Sequence, residues 1–88
     1  MISPHVRRVR LARELVAMRE EAKLTAEQLA QRIGISRQGI SRLENGHVRP
    51  DIDDVIKILD LYELSEQRWD QIITIAREAG ERGWWESY

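Results

Sequence analysis

The sequence predicts an all-α fold: five short helices packed into one compact bundle. Apolar residues recur three and four positions apart in five separate segments, which is the spacing that lines one face of a helix. Serine, threonine or aspartate precedes these segments, and glycine closes three of them, as helix ends prefer. No stretch shows the period of two that a half-buried strand requires. At 88 residues, 42% of them hydrophobic, the chain makes one small domain with one core and is too apolar for disorder.

The first helix is expected from about Val6 to Ala22. Leu11, Leu15, Met18 and Ala22 form its inner stripe, and Val9, Ala12 and Val16 a neighbouring ridge. Ser3 is the expected cap, with Pro4 at the first helical position, where its missing N–H costs nothing. The second helix opens on Thr25, with Gln28 three residues later to complete a capping box and Leu24 and Leu29 as a hydrophobic staple. It runs through Leu29, Ala30 and Ile33 to Gly34, which tolerates the left-handed backbone that ends a helix.

Ser36 caps the third helix, which carries Ile40 and Leu43 inward and stops at Asn45-Gly46. The loop His47-Val48-Arg49-Pro50 leads to Asp51, the cap of a fourth helix with Ile52, Val55, Ile56 and Leu59 on its apolar face. Asp53 and Asp54 in its first turn suit the helix dipole. Ser65 caps the fifth helix, with Trp69, Ile72, Ile73 and Ala76 inward and Gly80 and Gly83 at its end. The domain is therefore expected over residues 1–80, with 81–88 as an aromatic tail.

A net charge of −1 conceals a division. Residues 1–49 hold ten basic and five acidic side chains, a net of +5, and residues 50–88 hold four basic and ten acidic, a net of −6. The N-terminal part suits a polyanion, while the acidic part suits solvent or a partner, facing away from the polyanion. With no cysteine there is no disulfide and no thiolate metal site, which fits a reducing cytoplasm. No apolar run is long enough to span a membrane.

Helices two and three meet the requirements of a helix-turn-helix. Ala30 is small where the third helix must cross, Gly34 reverses the chain four residues later, and Ile40 and Leu43 face inward beyond it. Arg37, Gln38, Ser41 and Arg42 share the opposite face. Arginine can donate two hydrogen bonds to guanine and glutamine can pair with adenine in the same manner, so this short basic face suits base reading. Backbone N–H groups near Thr25, at Ser36 and at Asn45-Gly46 can receive phosphates, and Arg49 and His47 extend toward them.

The window from Leu24 to Pro50, LTAEQLAQRIGISRQGISRLENGHVRP, resembles the Xre-type, lambda-repressor-like DNA-binding domains, and the likeness extends over about Leu11 to Leu64. The resemblance implies a transcriptional regulator with residues 36–45 in the major groove of double-stranded DNA. It implies a homodimer on a palindromic operator in the cytoplasm, nucleoid-associated when bound, with no cofactor. It also implies a structural salt bridge between Arg19 and Glu44. The family often has glutamine directly after the cap of helix two. Ala26 stands there, so that phosphate contact is lost or replaced.

Gly39, inside helix three, allows either close approach to DNA or plain tolerance. Arg7, Arg8, Arg10 and Arg13 either touch phosphates or are solvated. Residues 76–85, with Gly83-Trp84-Trp85, are similar to the junction before a C-terminal domain in actinobacterial members. Trp84, Trp85 and Tyr88 then either fold back as core, dock a second copy, or meet a sensing domain or partner protein. Neither His5 nor His47 lies in an HExxH pattern, and no phosphate-binding glycine loop or nucleophile triad is present, so no catalytic residue is expected. The rival class is an interaction module, antitoxin-like or an anti-repressor target, in which DNA is secondary.

Overall fold

A computed structural model describes residues 4–46 and 48–80. Five helices follow in order: α1 Pro4–Glu21, α2 Ala26–Ile33, α3 Arg37–Asn45, α4 Ile52–Tyr62 and α5 Glu66–Ala79. Helix α1 is central, packing on both α5 and α3; α2 packs on α3 and α4, and α4 on α5. The five-helix, all-α expectation therefore holds over the described residues.

The core joins Leu11, Leu15 and Met18 of α1 to Leu29, Ile40 and Leu43 of the two middle helices, and to Val55, Ile58, Leu59, Ile72 and Ala76 beyond. No polar or charged side chain is fully buried among the described residues. Cohesion is thus mainly hydrophobic, with polar pairs along the seams.

Each helix from α2 to α5 starts on its expected cap. Thr25 Oγ1 accepts the Gln28 N–H while Gln28 Oε1 accepts the Thr25 N–H, so the capping box is closed. Ser36 and Ser65 accept the N–H groups of Gly39 and Arg68, and Asp51 accepts that of Asp53. Gly34 and Gly46 take the left-handed conformation, at φ 74° and 71°.

The two glycines differ in surroundings. A Cβ at Gly34 would meet nothing within 4 Å, so only its backbone angle needs glycine. At Gly46 a Cβ would lie 3.1 Å from the Arg8 carbonyl oxygen and 3.2 Å from Val9 Cα, so α1 also crosses too closely for a side chain.

Three inner-face expectations shift. Ala22 lies beyond α1 and is exposed, because the chain turns through Lys23 at φ 58°. In α4 the buried residues are Val55, Ile58 and Leu59, with Ile52 and Ile56 half-buried. Helix α5 buries Ile75 and Ala79 as well as Ile72, Ile73 and Ala76, since it is wedged between α1 and α4, while Trp69 is half-buried. The expectations for Ser3, His47, the Gly83 stop and the tail with Trp84, Trp85 and Tyr88 lie outside the described residues.

Candidate nucleic-acid interface

Helices α2 and α3 are joined by the short turn Gly34-Ile35-Ser36. Gly34 N–H donates to the Ala30 carbonyl at 2.9 Å, and Ile35 N–H donates to the same oxygen at 3.2 Å. That carbonyl belongs to a residue only 5% exposed, so the turn leaves the chain directly against the buried end of α2. Ile40 at 0% and Leu43 at 7% exposure then fix which face of α3 turns inward.

The opposite face follows from helical geometry. Arg37, Gln38, Ser41 and Arg42 span an arc of about 140° centred away from Ile40 and Leu43, at ~100° per residue. Arg37, Gln38 and Arg42 are exposed and Ser41 is half-buried. Two guanidiniums, an amide and a hydroxyl thus share one solvent-facing strip, a donor set suited to the edges of bases.

Electrostatics favour an anion there. The first turn of α3 contains no acid, so the positive end of its dipole is uncompensated. The amides of Arg37 and Gln38 head the helix, while Gly39 N–H is held by Ser36 Oγ at 3.0 Å. The carboxylate of α3, Glu44, is gripped by Arg19: Nε to Oε2 at 2.8 Å and Nη2 to Oε1 at 3.1 Å. This hydrogen bonding raises the pKa of Arg19 further, against a smaller opposing effect of burial. The ion pair tethers α3 to α1 and removes a charge that would repel phosphate.

Thr25 is exposed, but its N–H is committed to Gln28, leaving the Ala26 and Glu27 amides as the forward donors of α2. Asn45 ends α3 exposed, and Arg49 is exposed in the following loop. Gly39 has a local role the sequence did not suggest, since a Cβ there would lie 3.3 Å from the capping Ser36 Oγ.

Of the N-terminal arginines, two make contacts across the α1–α5 seam. Arg7 pairs with Glu78 at 2.9 Å, and Arg8 Nε donates to the Ala79 carbonyl at 2.9 Å. Both partners lie about seventy residues away in sequence, and no local signal announces them. Arg68 likewise pairs with Glu14 across the α1–α5 seam. Arg10 and Arg13 are exposed.

Among the described residues no cluster of histidine, cysteine, aspartate or glutamate could hold a metal, and no helix is long and apolar enough to cross a membrane.

A helix-turn-helix domain family matches residues 10–71. A 33-residue stretch is 61% identical to the HTH-type transcriptional repressor RghR of Bacillus subtilis (strain 168), covering 38% of this chain and 24% of that protein. The chain thus aligns with about a quarter of that relative's length. No solved structure matches it significantly.

Proposed function

The chain belongs to the helix-turn-helix domain family, and on that premise we propose that it binds double-stranded DNA sequence-specifically as an Xre-type, lambda-repressor-like transcriptional regulator. The observation that carries this reading is the outer strip of α3. Its exposed Arg37, Gln38 and Arg42 stand on a helix pinned from behind by buried Ile40 and Leu43. The proposed major-groove reader is α3, with Arg37, Gln38, Ser41 and Arg42 toward base edges. The amides heading α2 and α3, with Ser36, Asn45, His47 and Arg49, approach phosphates.

Its affinity then comes mostly from phosphate neutralisation and its specificity from the strip. Binding weakens with salt at a log–log slope of about −0.9 per phosphate neutralised. The repressor named above supports a regulatory role for a protein carrying this domain. Two copies on a palindrome would set their recognition helices about 34 Å apart, one turn of the duplex.

Selection from a random duplex pool tests the proposal. The expected product is an enriched motif with two half-sites spaced by about 10 base pairs. A single half-site would remove the dimer and leave the reader. Failure to enrich any sequence would overturn DNA reading and favour the interaction module.

A further inference from the structure

Three guanidiniums converge where α1 and α5 run side by side. Arg7 and Arg10 stand one turn apart on α1, and Arg68 joins them from α5. With Gln71 and Thr74 of α5 they line a cleft of about 360 Å³, with the buried Ile75 in its wall.

The carboxylates beside this cleft are already engaged. Glu78 pairs with Arg7, Oε2 to Nε at 2.9 Å, and that oxygen is buried. Glu14 pairs with Arg68. Arg10 is exposed, and no carboxylate among the described residues pairs with it. Three positive charges therefore meet two negative ones, and the surplus stands at the open side of the cleft. Donors are left over as well. Arg7 turns Nε to Glu78 and Arg68 turns Nη2 to Glu14, so each keeps N–H groups on its other nitrogens. Gln71 and Thr74, both exposed, add an amide and a hydroxyl.

We propose that this cleft binds a small phosphate-bearing molecule, about the size of a sugar phosphate. The donors set the head group. A phosphate offers three terminal oxygens to Arg10 and to the remaining N–H groups of Arg7 and Arg68, a charge-assisted set that a carboxylate, with two oxygens, leaves partly unused. Gln71 and Thr74 then meet hydroxyls of the attached group, and Ile75 gives it one apolar contact. The volume falls at the lower end of the range for small-molecule sites, about 300–1,000 Å³.

The cleft is separate from the outer strip of α3. Arg7 and Glu14 face α5, whereas Arg19 and Val9 meet Glu44 and Gly46 at the end of α3. At ~100° per residue these two pairs lie on roughly opposite sides of α1. The proposal does not rest on DNA reading, and either stands if the other fails.

The test is a nuclear magnetic resonance titration of the full chain with ribose phosphate, inorganic phosphate and ribose at constant ionic strength. Ribose phosphate should saturably shift the amides of Gln71 and Thr74 and the Nε–H of Arg10, inorganic phosphate should do so more weakly, and ribose not at all. Arg10→Gln, at an exposed position, should weaken binding about tenfold at unchanged helicity, the loss of one charge-assisted bond. Thr74→Val should weaken ribose phosphate more than inorganic phosphate. Shifts confined to the amides of α3, or indifferent to Arg10→Gln, would overturn the proposal. Equal binding of the two phosphates would reduce the site to an adventitious ion only and overturn it too. So would resonances that move with protein concentration alone, which would give the cleft to a second copy, or with a DNA duplex alone, which would give it to the duplex backbone.

Discussion

Arg19 and Glu44 lie fork to fork, with Nε and Nη2 each on its own carboxylate oxygen at 2.8 and 3.1 Å. Arg19 also donates from Nη1 to the Leu24 carbonyl at 2.9 Å. One guanidinium therefore joins α1, the entry to α2 and the end of α3. Both side chains are largely covered, at 19% and 12% exposure. Arg19→Ala should cost about 3 kcal/mol, because it strands a mostly buried carboxylate. Arg19→Lys should recover only part, since an ammonium cannot bridge both oxygens in one plane. Urea denaturation of the two variants measures the difference, and equal losses would show that the fork geometry contributes nothing.

The left-handed glycines separate backbone strain from crowding. Gly34→Ala should cost about 1–2 kcal/mol, the penalty of a Cβ in that conformation. Gly46→Ala should cost clearly more, because its Cβ also meets backbone of α1 at 3.1 and 3.2 Å. Thermal denaturation ranks them. Equal losses would mean that α1 moves aside freely.

Arg42 and Arg49 should fail differently on a selected duplex. Arg42→Ala is expected to lose about 1–3 kcal/mol at one base position per half-site and relax preference there. Arg49→Ala should weaken every sequence alike and lower the salt slope by about one unit. Titrations against matched and mismatched duplexes at several salt concentrations distinguish the two. If both variants bind like the parent, the assignment of the strip and loop is wrong.

Tyr62 gives an alkaline signature. Its hydroxyl oxygen is buried with no hydrogen-bond partner among the described residues. Burial, more than the nearby Glu44, pushes its pKa above 10.0. A raised pKa means that the folded chain holds its proton longer than the unfolded one. The associated stability is therefore complete below the ordinary tyrosine range and is lost as pH rises through and beyond it. Tyr62→Phe should flatten that decline. At neutral pH it should leave stability equal or up to about 1 kcal/mol higher, since it removes an unsatisfied group. Stability curves from pH 7 to about 11 check both effects.

What could be read from the sequence was what depends on neighbours. The Thr25–Gln28 box and the caps at Ser36, Asp51 and Ser65 each involve residues two or three positions apart, and all were legible. So was the outward arc of α3, because Ile40 and Leu43 define its opposite. The ties of Arg7 to Glu78 and Arg8 to Ala79 were not, since nothing local marks which arginine of a basic run will find a partner across a seam. The choice of Ile58 over Ile56 as the buried residue of α4 was equally hidden. It depends on how far the helix rolls between α2 and α5, a tertiary quantity. At the candidate interface, the start of α2 was legible as a set of backbone donors, but not that the capping box takes the Thr25 N–H and leaves those of Ala26 and Glu27.

The self-contained caps have a kinetic consequence. Four of the five helices start with a bond that closes over two or three residues, so these caps need no distant segment to form. The contacts of Arg7 and Arg8 with the end of the fifth helix, by contrast, need the two ends of the bundle to meet. Helical chains governed by short-range closure fold in about microseconds to milliseconds. Because closure cost grows only as the logarithm of loop length, lengthening the α3–α4 or α4–α5 loop by a few residues should change the folding rate little.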